Sequence, residues 1–188
     1  MRKLLPVILC AAILLAGCGN SASSESSSPA SESTAASSEA TSEVTSTSEV
    51  AEEPQTENLA NAVAAIEAVN PVANPLEYTD FDVENTLMLT KDNLVAYDGM
   101  VSNNQSDCGL IFVAQAKSGK ASDVEAELQA YKDSLTANNM YVEFADKMAL
   151  AKEARIVTNG NYVAMVIASI DVGDYTAIDE VLQTALNF

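Results

Sequence analysis

The sequence predicts an α+β domain: a small, mainly antiparallel sheet with helices packed on one face, preceded by one or two helices and a disordered spacer. Three observations carry this. Residues 108–116 (CGLIFVAQA) form an apolar run of strand length. Asn159-Gly160 sits between two further apolar runs, the strongest short-range hairpin signal. From residue 94 the order reads strand-strand-helix, then strand-strand-helix, and hairpins followed by helices build antiparallel sheets.

The chain begins with Arg2 and Lys3, then twelve predominantly apolar residues, 4–15, broken by Pro6. A spanning helix needs roughly 20 such residues, so this run has the pattern of a cleaved export signal. It ends in Leu15-Ala16-Gly17-Cys18, the pattern of a bacterial lipobox. There the Cys thiol takes a diacylglyceryl group and a peptidase cuts before it. The expected signal is 1–17, with Cys18 the lipid attachment site and the first mature residue. Two acyl chains suffice for durable membrane attachment. The expected location is the outer, extracytoplasmic face of the cell membrane.

The segment 18–57 is dominated by Ser, Glu, Ala and Thr. Without apolar periodicity it cannot repay its ordering entropy, so it reads as a spacer. It is either a passive tether or a Ser/Thr-glycosylated stalk. That leaves residues 58–188, about 130 residues, as one domain large enough for its own core.

Composition excludes several functions. The formal charge is −18, which repels phosphate backbones and argues against nucleic-acid partners. With no His, neither a Ser-His-Asp nor a Cys-His nucleophile system can be built, and His-ligated metal sites are excluded. Of three cysteines, Cys10 leaves with the signal and Cys18 carries lipid, so Cys108 has no disulfide partner within the chain. It reads as an inert thiol. No Gly-rich phosphate loop or other cofactor motif is present, so no cofactor is expected.

Each element has its own signal. Residues 56–70 predict a helix with Leu59, Ala62, Val63, Ile66 and Val69 on one face, Thr56 as its cap and Asn70-Pro71 as its stop. A second helix is expected from about 79 to 89, with Asp80, Asp82 and Glu84 near its positive end. Residues 94–101 read as extended and 103–107 as a polar turn. Ser122 and Glu125 have capping-box spacing, opening a helix to about 138 with a stripe of Ala121, Val124, Leu128, Tyr131 and Leu135. Residues 144–153 predict a short helix. The hairpin strands are 155–158 and 162–170, and its tight turn predicts that Gly160→Val costs more than Gly119→Val. Asp174 is expected to cap a last helix with Tyr175, Ile178, Val181, Leu182, Ala185 and Leu186 inward.

The lipobox, the Ser/Glu spacer, the strand 108–117, the long acidic helix and the closing run 157–167 together resemble the Gram-positive lipoproteins carrying domain of unknown function four-three-five-eight. The turn Gly160-Asn161-Tyr162 is its most characteristic piece. The sequence departs from it at Met140-Tyr141-Val142-Glu143, where the family has a Tyr-Pro pair. The resemblance implies location and fold and supplies no activity, ligand or catalytic residue.

Asp80, Asp82 and Glu84 alternate as in calcium loops, but Asn85 and Lys91 stand where an EF-hand needs Gly and Glu. A looser calcium site from Glu77, Asp80, Asp82 and Glu84 is one reading; helix-start acids are the other. Tyr131, Tyr162 and Tyr175 either line a pocket together or pack at the core boundary with hydroxyls outward. Two functions follow: a binding or scaffolding module for an envelope protein or small ligand, or a hydrolase working through an Asp/Glu pair that the sequence does not nominate.

Overall fold

The computed structural model describes residues 52–137 and 144–188. The expected export signal, the expected lipid attachment site Cys18, the expected spacer up to residue 51 and the segment 138–143 lie outside them. The described chain forms a five-stranded sheet in the order β1-β2-β3-β5-β4, every neighbouring pair antiparallel. The strands are β1 (Pro75–Glu77), β2 (Leu94–Ser102), β3 (Leu110–Ala116), β4 (Arg155–Asn159) and β5 (Tyr162–Ile167). The helices are α1 (Thr56–Glu67), α2 (Asp80–Asn85), α3 (Ala121–Thr136), α4 (Ala145–Lys152) and α5 (Thr176–Ala185). The α+β class and the antiparallel sheet are as the sequence predicts.

The helices, however, cover both faces of the sheet rather than one. Strand side chains alternate between faces. On β3, Leu110, Phe112 and Ala114 pack with Val124, Leu128 and Ala151 from α3 and α4. Ile111 and Val113 pack with Leu59 and Ile66 of α1 and Ile178 and Leu182 of α5. All seven β3 residues are buried. A strand apolar on both faces cannot leave one to water, and burying each Leu, Ile, Val or Phe contributes about 1.5–3 kcal/mol. The strand-strand-helix order alone does not say on which side a helix lands.

Four local expectations shift. The Ser122–Glu125 box does not form: α3 starts at Ala121 after Lys120, with no side-chain cap. A turn closed by Lys120 N donating to Lys117 O (2.8 Å), with Gly119 at φ +73°, delivers the chain into the helix early. Glu125 accepts instead from Thr158 Oγ1 at 2.7 Å. The hairpin loop is Gly160-Asn161, because Asn159 pairs with Tyr162. Gly160 alone of these two has positive φ (+59°), as a type II′ turn requires of its first central residue. Asn159 serves as a strand residue whose Nδ2 donates to Leu186 O (2.9 Å) and Asn187 Oδ1 (2.8 Å), holding the C-terminus. Thr56 is the first residue of α1 rather than its cap, and the helix ends at Glu67. Asp174 lies one residue before the N-cap, yet its Oδ1 accepts from Thr176 N (2.8 Å).

Strand β1 was not expected. It has three exposed residues, starting with proline, which only an edge strand tolerates.

The folded domain also begins earlier than residue 58. Gln115 of β3 is buried, and its Nε2 donates to Glu53 O (3.1 Å) while its Oε1 accepts from Gln55 N (2.8 Å). Asn161 Nδ2 donates to Glu52 Oε1 at 3.3 Å. A chain of residues 52–188 should therefore unfold in urea at the same midpoint as residues 19–188. Removing 52–55 as well should cost about 1–2 kcal/mol, since both ends of the Gln115 amide lose their partners and water regains only part of the loss. An unchanged midpoint for 56–188 would show that the junction contributes nothing.

Candidate functional site

A cleft opens where the end of β2 and the start of β3 meet the C-terminal half of α3 and the face of α4. Its floor is Leu110 and Ile167, directly paired across β3 and β5. Tyr131 and Leu135, four apart on α3, line one wall; Met148 and Ala151 of α4 line the other. Its volume is near 260 Å³. Lys132 Nζ of α3 donates to Ala154 O just beyond α4 (2.8 Å), tying the two walls together.

The rim is polar and firmly built. Asp107 Oδ1 accepts from Ile170 N (2.8 Å) and Oδ2 from Ala73 N (3.4 Å), clamping the β2–β3 turn to the end of β5 and the segment after α1. Burial alone would push this carboxyl up, but the amides of Ile170, Cys108 and Ala73 outweigh it and hold it below the usual carboxylate range. Cys108 lies beside it, its Sγ directed at Ala168 O (3.5 Å). Burial, reinforced by the Asp107 charge, pushes the thiol up to about 11, so it stays protonated and reacts slowly near neutral pH. Lys147 on α4 donates to Gln105 O, and its ammonium stands 4.5 Å from the centroid of the Phe144 ring.

The acids singled out in the sequence do other work. Asp80 accepts from Lys91 Nζ and from Tyr97 Oη (2.6 Å), and the Lys91 and Tyr97 bonds hold its pKa down. Asp82 closes a capping box with Thr79, accepting from its N (3.0 Å) and Oγ1 (2.6 Å). Glu77 stands on the exposed edge strand and Glu84 on the exposed side of α2. Among the described residues, no group of three or more Cys, Asp or Glu side chains gathers to hold a metal, so these four acids do not build the calcium site. The Asp80 oxygens go to Lys91 and Tyr97 and those of Asp82 to the start of α2, which spans only Asp80–Asn85.

The three tyrosines do not share a pocket. Tyr131 faces the cleft, while Tyr162 packs edge-on against Phe188 with centroids 4.5 Å apart. Tyr175 turns its hydroxyl inward, donating to Leu150 O (2.7 Å) and accepting from Ala168 N (3.1 Å). Burial pushes that phenol up to about 12. The Arg155 guanidinium lies 4.2 Å from the Tyr175 centroid and forms a two-pronged pair with Asp179 (2.7 and 3.0 Å). This partly exposed cluster braces β4 against α5.

Every described carboxyl with a resolved shift is shifted down: Asp80, Asp82, Asp107 and Asp179. A general acid near neutral pH needs the opposite. Sequence reasoning named Cys108 and Tyr131 separately and missed Asp107, Lys147 and Met148 as neighbours. The polar turn 103–107 and the apolar stripe of α3 were the available signals, but nothing in their spacing joins them.

Among the described residues no helix is long and apolar enough to cross a membrane. No curated protein and no solved structure matches the chain. The family described as Domain of unknown function (DUF4358) matches residues 67–168, from the end of α1 to the residue after β5, leaving α5 outside. That span includes the whole sheet and every residue lining the cleft, covers more than half of the chain, and places it in that family: this protein belongs to the DUF4358 domains.

Proposed function

We propose that this protein is a lipid-anchored, extracytoplasmic binding module. The observation that carries the anchor is Leu15-Ala16-Gly17-Cys18, directly after a positive start and an apolar run too short to span a bilayer. Two acyl chains on Cys18 hold the protein at the outer face of the cell membrane, and the spacer sets the domain off that surface. The cleft between β2, α3 and α4 supports a small ligand over a protein partner, because it is concave, apolar inside and polar at the rim. The hydrolase reading gains no support from the described carboxyls with a resolved shift, Asp80, Asp82, Asp107 and Asp179, all of which are held down.

The anchor is tested by growing cells with labelled palmitate. Wild-type protein should carry label and fractionate with the membrane. Cys18→Ala should carry none and should retain residues 1–17, migrating as a larger precursor. Equal labelling of the mutant and the wild type would remove the lipobox from the account.

A further inference from the structure

We infer that the cleft between β2, α3 and α4 is a binding site for a compact single-chain carboxylate, its apolar tail on the floor formed by Leu110 and Ile167 and its acid group on Lys147. This occupant rests on the binding-module reading and specifies its ligand.

Size comes first. At about 30 Å³ per water, a volume near 260 Å³ holds roughly nine water-sized groups. That is just below ordinary ligand pockets of roughly 300–1,000 Å³, and it suits one short chain rather than a two-chain lipid. The lining is the second argument. Leu110, Ile167 and Ala151 are almost wholly buried, and Met148 is a pliant wall that adapts to an irregular tail. Cys108 belongs to that lining as a neutral thiol.

Charge selects the head group. Asp107 and Lys147 both border the cleft, but they are not equally occupied. The Asp107 oxygens are committed to backbone amides within the fold. The Lys147 ammonium has three donors and spends one on the Gln105 carbonyl, with its charge beside the Phe144 ring. Asp146, next in sequence, is exposed to solvent. Asp107 stays ionised, so the mouth carries one anion and one cation, but the Asp107 oxygens are taken up inside the fold while the Lys147 ammonium keeps donors for a ligand carboxylate. The large negative charge of the whole chain opposes this weakly, because charges beyond a Debye length of about 8 Å are screened.

The test uses residues 19–188. The described core lies wholly within Leu59 to Leu186, so this chain keeps every buried contact. It lacks Cys18 and its lipid, so a failed anchor and an empty cleft give separate results. Cys108 is then the only thiol and reports occupancy. Octanoate, octylamine and octanol are titrated by calorimetry, and modification of Cys108 by an aromatic disulfide reagent is timed with each. Octanoate should bind one per chain and slow the modification, and octylamine should do neither. Lys147→Gln should weaken octanoate binding about tenfold, the scale of one lost charge-assisted hydrogen bond. Leu135→Asp should abolish it; this side chain is already 37% exposed, so the fold tolerates the change, checked by an unchanged melt. No saturable binding of octanoate would overturn the assignment. So would octylamine binding as tightly as octanoate, Lys147→Gln binding like wild type, or Leu135→Asp retaining the site.

Discussion

Gly99→Ala should destabilise the domain by about 4 kcal/mol, the larger of two expected losses and enough to unfold many domains of this size. Gly99 lies within β2, paired with Phe112 of the central strand. Its φ is +149°, an angle that side-chain-bearing residues rarely adopt. A Cβ there would stand 2.2 Å from Ile111 O and 2.9 Å from Phe112 Cα. Both are backbone atoms of β3, which is bonded to strands on either side and cannot step back. The close approach also seats Phe112 under two rings: Tyr78 meets it edge-on at 5.4 Å and Tyr97 stacks at 6.0 Å. Gly119→Ala and Gly160→Ala make the comparison. Both glycines have positive φ (+73° and +59°), but a Cβ at either meets nothing within 4 Å. Each should cost only the conformational term, about 1–2 kcal/mol. The ranking of Gly160→Val above Gly119→Val, drawn from sequence, therefore gives way to near equality. Urea melts of the three alanine variants would show it, and a Gly99→Ala loss no larger than the other two would refute the clash.

Asn70→Ala should cost about 3 kcal/mol. Asn70 is fully buried beyond the end of α1. Its Nδ2 donates to Ile167 O (3.0 Å), and its Oδ1 accepts from Ser169 N (2.8 Å). One side chain thus satisfies both backbone groups where β5 leaves the sheet. Truncation strands a buried carbonyl and a buried amide, each costing about 1–3 kcal/mol when unpaired. The nearby Ser169 hydroxyl is itself buried without a partner. Thermal or denaturant unfolding of Asn70→Ala checks the size of the loss. A change below 1 kcal/mol would mean that water enters and replaces the amide.

The elements legible in the sequence are those whose signal is local. The inner face of α1 follows from Leu59, Ala62, Val63 and Ile66 at helical spacing, and all four are buried. The run 110–113 announces the central strand because every position is apolar. Thr79 before three spaced acids announces the start of α2, and the capping box is there. Turn chemistry was legible in kind and misplaced by one residue, since Asn159, Gly160 and Asn161 all suit a tight loop. Only strand pairing decides which two form it.

The sequence by itself determined the class, the order of most elements, the buried face of each long helix and the lipobox pattern at Cys18. All of these rest on spacings of a few residues, which set what one helix face or one turn presents. Tertiary structure alone decided which face of the sheet each helix covers, how residues 52–55 join the fold, and what the polar residues do. Asn70 reads locally as a helix stop and acts as a bridge to residues 97 and 99 positions away. Asp107 reads as a turn residue and clamps Ile170, 63 positions away. Cys108, Tyr131 and Lys147 become neighbours only because β3 pairs with β2 and β5 while α3 and α4 fold back over that face. The cost of leaving buried polar groups unpaired acts between distant parts of the chain. No local spacing records which partners will meet.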